Sequence, residues 1–298
     1  MQVMRVLLGG IVDYAGLFPP AGLGMVPAVE NYEAYRRSPD RWMLGRFIVP
    51  VPRLGEFEEA AAEHLERRPS GEPWRLSALA GDDTAGDLRA IGEFNCRHAA
   101  DGAGAAVIDT VETRAASADR IAEVARGIPT WAAGFVELPL EPDPQPLVAA
   151  LAAAGLRAKV RTGGITADAI PPAALTVRFL AACIRHGVAF KATAGLHHPI
   201  RAEYPLTYEP GAPRAVMHGY LNVFLAAALL RAGGTEDDAR RILEEQDSAA
   251  FTADATGVAW RTRRFDSAQL AAARGLALSF GSCSFTEPVA DLATLNLG

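Results

Sequence analysis

The chain has 298 residues, half of them apolar and 21% charged, with a formal net charge of −6. That acidic balance and the lack of a basic stretch argue against a nucleic-acid partner, and no uninterrupted apolar run reaches the roughly 20 residues of a membrane span. Three scattered cysteines (Cys96, Cys183, Cys283) fit neither metal nor disulfide spacing, and no signal peptide opens the chain, so a cytoplasmic home is expected.

Residues 6–12 read as a first strand running into Asp13. From residue 40 onward, short apolar runs alternate with amphipathic stretches. Strands are expected over 44–50, 74–80, 105–112, 130–138, 157–163 and 188–195, with helices over 54–67, 85–100, 117–126, 146–154 and 174–186 between them. Beyond Pro199 the pattern loosens into an apolar helix (218–231), a charged helix (235–245), an extra strand or hairpin arm (258–264) and a last strand (276–282). Strand and helix recur every 25 to 35 residues or so, as in βαβ units with parallel strands. Eight such strands in one chain favour a closed (β/α)8 TIM barrel, an α/β fold, with extra helices and a hairpin between about residues 200 and 270. With no linker or break in composition, residues 1–298 are expected to form a single domain.

The basic residues are 27 arginines and only two lysines, Lys159 and Lys191. Arginine stays protonated at any useful pH, whereas lysine can lose its proton and attack a carbonyl. In a barrel of this kind the site lies at the C-terminal ends of the strands. The polar groups expected there are Asp109, Glu137, Lys159, Arg161, Lys191 and Thr193. Two amines close together disfavour each other's protonation, so one is expected to become neutral and nucleophilic, with Asp109 relaying protons. The competing reading is a buried network in which Asp109 and Glu137 merely neutralise the lysines.

The order of motifs IVDYAGLFPP (Asp13), VIDTVE (Asp109), FVELP (Glu137), KVRTGG (Lys159) and FKATAGL (Lys191) resembles that of the deoxyribose-phosphate aldolases, class I aldolases on a TIM barrel. The resemblance spans residues 11 to 196. It implies that Lys159 forms the Schiff base, that Lys191 tunes it, and that Asp109 is the proton-relay carboxylate. It also implies a phosphate pocket built from Gly163, Gly195, Ser282 and Ser284. Where that family has an arginine, this chain has His197 followed by His198, and Arg161 replaces a small polar residue. A carbonyl substrate whose anionic group is a carboxylate held by Arg161 is therefore expected. Asp13, Glu137, Thr193 and His197 join the expected binding residues.

A second reading makes the chain a metal-dependent lyase, isomerase or hydrolase, with His197 and His198 joining acidic residues. The lysine reading needs no cofactor or metal, and its partner is a small carbonyl compound. A homodimer is compatible with either reading. Cys283 reads as a buried small residue, with no histidine or basic partner near it in sequence.

Overall fold

The computed structural model describes residues 2–65, 72–99 and 106–295; residues 66–67, 100 and 105, expected in regular elements, lie outside them. The chain opens with a helix, α1 (Gln2–Leu8), followed by β1 (Val12–Tyr14). The strand expected over 6–12 is therefore corrected. Val3, Met4, Leu7 and Leu8 are all buried, a spacing that lays one helical face on the molecule. A helix not foreseen from the sequence, α2 (Met25–Arg37), then leads to β2 (Leu44–Pro50) and α3 (Leu54–Ala61).

The expected alternation follows: β3 (Trp74–Leu79), α4 (Thr84–Ala99), β4 (Ala106–Arg114), α5 (Ala118–Gly127), β5 (Ala133–Glu137), α6 (Gln145–Ala154), β6 (Arg157–Arg161), α7 (Ala173–His186) and β7 (Phe190–Thr193). Ser117 caps α5 by accepting from the Arg120 amide, and Gly155 and Gly187 end α6 and α7 in left-handed conformations. Between β7 and the last barrel strand lie the hairpin β8 (Ala202–Pro205) and β9 (Arg214–Met217), then α8 (Tyr220–Arg231) and α9 (Glu236–Glu244). A three-stranded sheet, β10 (Phe251–Asp254), β11 (Gly257–Trp260) and β12 (Arg263–Asp266), precedes α10 (Ser267–Arg274), β13 (Ala277–Ser282) and α11 (Thr286–Thr294).

Eight parallel strands close on themselves in the order β1-β13-β7-β6-β5-β4-β3-β2, a TIM barrel with small extra sheets. Its helices cover the outer face. The helix α8 is buried on all sides up to Leu230, with Tyr220 stacked on Phe280 at 5.0 Å and the Asn222 amide donating to the Ile242 and Glu245 carbonyls. Its apolar surface is thus consumed within the chain. By length and composition the stretch Ala167–His186 could cross a membrane. Pro171 and Pro172 interrupt it, and α7 lays Val177, Leu180 and Ala182 into the core.

Candidate active site

Side chains alternate across a strand, so the inward face of β6 carries Arg157, Lys159 and Arg161, and that of β7 carries Lys191 and Thr193. Lys159 and Lys191 are direct register partners. One carboxylate, Glu112 on β4, joins them: its Oε1 lies 2.6 Å from Lys191 Nζ and its Oε2 2.9 Å from Lys159 Nζ. Lys191 Nζ also meets Asp13 Oδ2 at 2.5 Å, and Lys159 Nζ meets Glu137 Oε2 at 3.1 Å. Ser77 donates to Glu112, while Ser279 and the backbone N–H of Arg46 donate to Asp13. The chain of charges ends where Glu137 Oε1 faces Arg161 at 3.5 Å.

The electrostatics run opposite to simple mutual repulsion. Burial alone would push Lys191 down, but Asp13 and Glu112 outweigh it and hold the ammonium above its usual range. Glu112 would be raised by burial, yet Lys159 and Lys191 together hold it well below the usual carboxylate range. Lys191 is therefore a fixed cation, only 1% exposed, sealed between Asp13 and Glu112. Three carboxylates for two lysines is the physical reason.

Asp109 is not part of this group. It sits in the first half of β4, beside residues at the starts of other strands: Arg46 (2.5 Å) and Arg75 (2.6 Å) both grip it. Burial raises its carboxyl, and the two guanidiniums outweigh that to lower it. Asp109 thus belongs to the N-terminal end of the barrel, away from the lysines, and Glu112 stands where the relay carboxylate was expected. Residues three apart on a regular strand face opposite ways. Here a bulge shifts the register between Leu76↔Ile108 and Ser77↔Thr110, leaving Asp109 unpaired and letting both acids turn inward.

Above the lysines, at the C-terminal strand ends, lies a cavity of about 280 Å³. Lys159, Glu112, Arg161, Thr193, His197 and Cys283 are on its wall, with Phe18, Pro19 and Ile165 as apolar cover. Lys191 and Asp13 lie beneath it, so Asp13 positions Lys191 and does not line the cavity. Glu137 and Arg161 face an adjoining open groove of about 780 Å³ that touches neither lysine.

The loops after β6 and β7 cross at Gly163 and Gly195. A Cβ on Gly163 would come 2.9 Å from the Gly195 Cα, and Gly195 has φ +74°. Thr162 Oγ1 donates to the Ala194 carbonyl at 2.7 Å, locking the crossing. These two glycines hold the loops together, while Gly164 and Ala194 reach the cavity. Ser282 lies 3.2 Å from His197 Nδ1, and Ser284 accepts from the Glu287 amide at the start of α11. Both hydroxyls are engaged by protein groups.

The two adjacent histidines diverge. His197 turns to the cavity and meets Glu287 at 3.4 Å, whereas His198 stacks on Tyr204 and meets Asp291 at 2.5 Å. Burial would push His197 down, but its hydrogen bonds to Cys283 and Glu287 lift it to about 9. Among the described residues, no three or more of His, Cys, Asp and Glu are grouped to hold a metal ion. No protein-family model matches this sequence, and no curated protein matches it.

Proposed function

We propose that this chain is a class I lyase that binds a small carbonyl compound as an imine on Lys159, in the manner of the aldolase family its motif order resembles. The observation that carries the reading is the position of one amine. Lys159 lines a cavity of about 280 Å³, close to the lower end of the roughly 300–1,000 Å³ range of ligand sites, and its Nζ lies between Glu112, held ionised, and Glu137, the carboxylate placed to accept its proton.

On substrate entry the Lys159 ammonium passes a proton to Glu137, whose carboxylate is half open to the groove. The neutral amine adds to the carbonyl carbon, an amine proton moves to the oxygen, Glu137 returns its proton to that hydroxyl as water leaves, and the resulting cationic imine draws electrons from the bond to the adjacent carbon. Glu112 stays ionised between the two lysines and stabilises the positive charge through these steps. Lys191, fixed as a cation, holds Glu112 and Asp13 in place. Arg161, on the rim between cavity and groove, is suited to an anionic group of the substrate.

Borohydride reduction in the presence of small aldehydes and ketones, followed by peptide mass mapping, tests this reading. The expected result is a stable adduct on Lys159 alone. An adduct confined to Lys191, or none across a panel of carbonyl compounds, overturns it.

A further inference from the structure

Cys283 directly follows β13, and its sulfur is surrounded by polar groups from separate parts of the chain. His197 Nδ1, from the loop after β7, lies at 3.9 Å, and the Tyr208 hydroxyl, from the β8–β9 hairpin, at 3.5 Å. The backbone N–H of Ala21, from the loop after β1, also donates to it. Glu287, on α11, holds the assembly: its Oε2 accepts from Tyr208 at 3.1 Å and faces His197 Nδ1 at 3.4 Å. Cys183 shows what a merely packed cysteine looks like here. It is wholly buried in α7, and burial alone pushes its thiol up.

We infer that Cys283 and His197 form a thiolate–imidazolium pair, and that this pair is a second covalent site of the cavity, taking a small aldehyde as a thiohemiacetal. The Cys283 proton resides on His197. The sulfur lone pair attacks the carbonyl carbon and a C–S bond forms. The C=O π pair moves to oxygen, which takes the proton from His197 and leaves the imidazole neutral. The balance needs no oxidant or further reactant, and reversal releases the aldehyde intact.

The surroundings support the charge separation. The titratable groups facing the sulfur are Tyr14 on β1, Tyr35 on α2, His197, Tyr208 and Glu287, while Lys159 and Arg161 line the same cavity. Burial raises Tyr14 to about 12 and also raises Tyr35, so both phenols stay neutral. Burial would push the Cys283 thiol up too, but His197 outweighs it and holds the thiol below its usual range. This site goes beyond the lysine reading and does not depend on it.

Alkylation of the folded protein by iodoacetamide, with mass mapping of all three cysteines, supplies its own controls. Cys96 is exposed and serves as the solvent-accessible control. At about pH 6, Cys283 is expected to react at least tenfold faster than Cys96, with Cys183 silent. The ultraviolet absorbance of the thiolate, taken as wild type minus Cys283→Ser, requires no reagent access. It is expected near neutral pH and should be lost in His197→Asn. Glycolaldehyde added to Lys159→Met, which lacks the amine lining the cavity, should bleach that band reversibly. Absence of the band at neutral pH overturns the thiolate, and a band indifferent to glycolaldehyde overturns the carbonyl ligand. Neither outcome bears on trapping at Lys159.

Discussion

Lys191 and Glu112 meet at 2.6 Å with both side chains 1% exposed, a closed ion pair at the centre of the barrel. A buried pair is not by itself a strong stabiliser, since desolvation offsets much of the attraction. Breaking one is costly, because the surviving charge has no solvent.

Lys191→Met should therefore destabilise the fold by about 3–5 kcal/mol, leaving Asp13 buried without its lysine and Glu112 with only Lys159. The midpoint of thermal or urea unfolding measures this. A loss under about 1 kcal/mol would mean that water or rearrangement compensates the carboxylates, and the sealed pair would have to be abandoned.

Lys159→Met should abolish the reduced adduct while costing less stability, because Lys159 borders a cavity and Glu137 is partly solvated. Mass spectrometry after borohydride treatment reads the first effect and circular dichroism the second. Glu137→Gln should keep the adduct but slow its formation by roughly 10²-fold, the lower range for loss of an acid–base group.

Asp109→Asn and Glu112→Gln separate the two acids of β4. The change at Asp109 should leave trapping on Lys159 unaltered and lower stability by about 1–3 kcal/mol through its two arginine partners. The change at Glu112 should impair trapping as well as stability. Equal loss of trapping in both variants would contradict the assignment of Asp109 to the far end of the barrel.

His218 gives a pH dependence. Its Nε2 faces the Pro171 carbonyl at 2.9 Å and its Nδ1 the Arg201 guanidinium at 2.9 Å, the pattern of a neutral ring. Burial, with a further contribution from Arg201, lowers it to about 4 against a usual 6.5. The folded value is below the unfolded one, so its contribution is complete above about pH 6.5 and is lost as pH falls towards 4. Between pH 7 and 4.5 the wild type should lose about 2–3 kcal/mol that His218→Gln does not. Parallel declines in the two proteins would refute this.

The barrel was readable in the chain because helices and strands alternate at regular spacing with clear stops such as Gly155 and Gly187. The start was not. Val6 to Val12 is apolar enough for a strand, and only the packing of Val3, Met4, Leu7 and Leu8 reveals a helix. The neighbouring positions of the two lysines were legible too, since they are the only lysines of the sequence and fall in successive strand-like runs. That Glu112 and not Asp109 meets the lysines was not legible, because a bulge, which leaves no mark in the sequence, resets the parity of β4. The strand-end rule carried the missing signal, as Glu112 lies nearer the C-terminal end. Cys283 and His197 are 86 residues apart, and nothing local in either segment announces that they meet.

Because the only two lysines of this sequence are both enclosed in the barrel, its outer surface presents no ε-amine at all. Reagents that acylate lysines will find no target on that surface. Attachment to amine-coupled supports will be correspondingly poor, and any acylated internal peptide becomes a direct report on who can enter the interior.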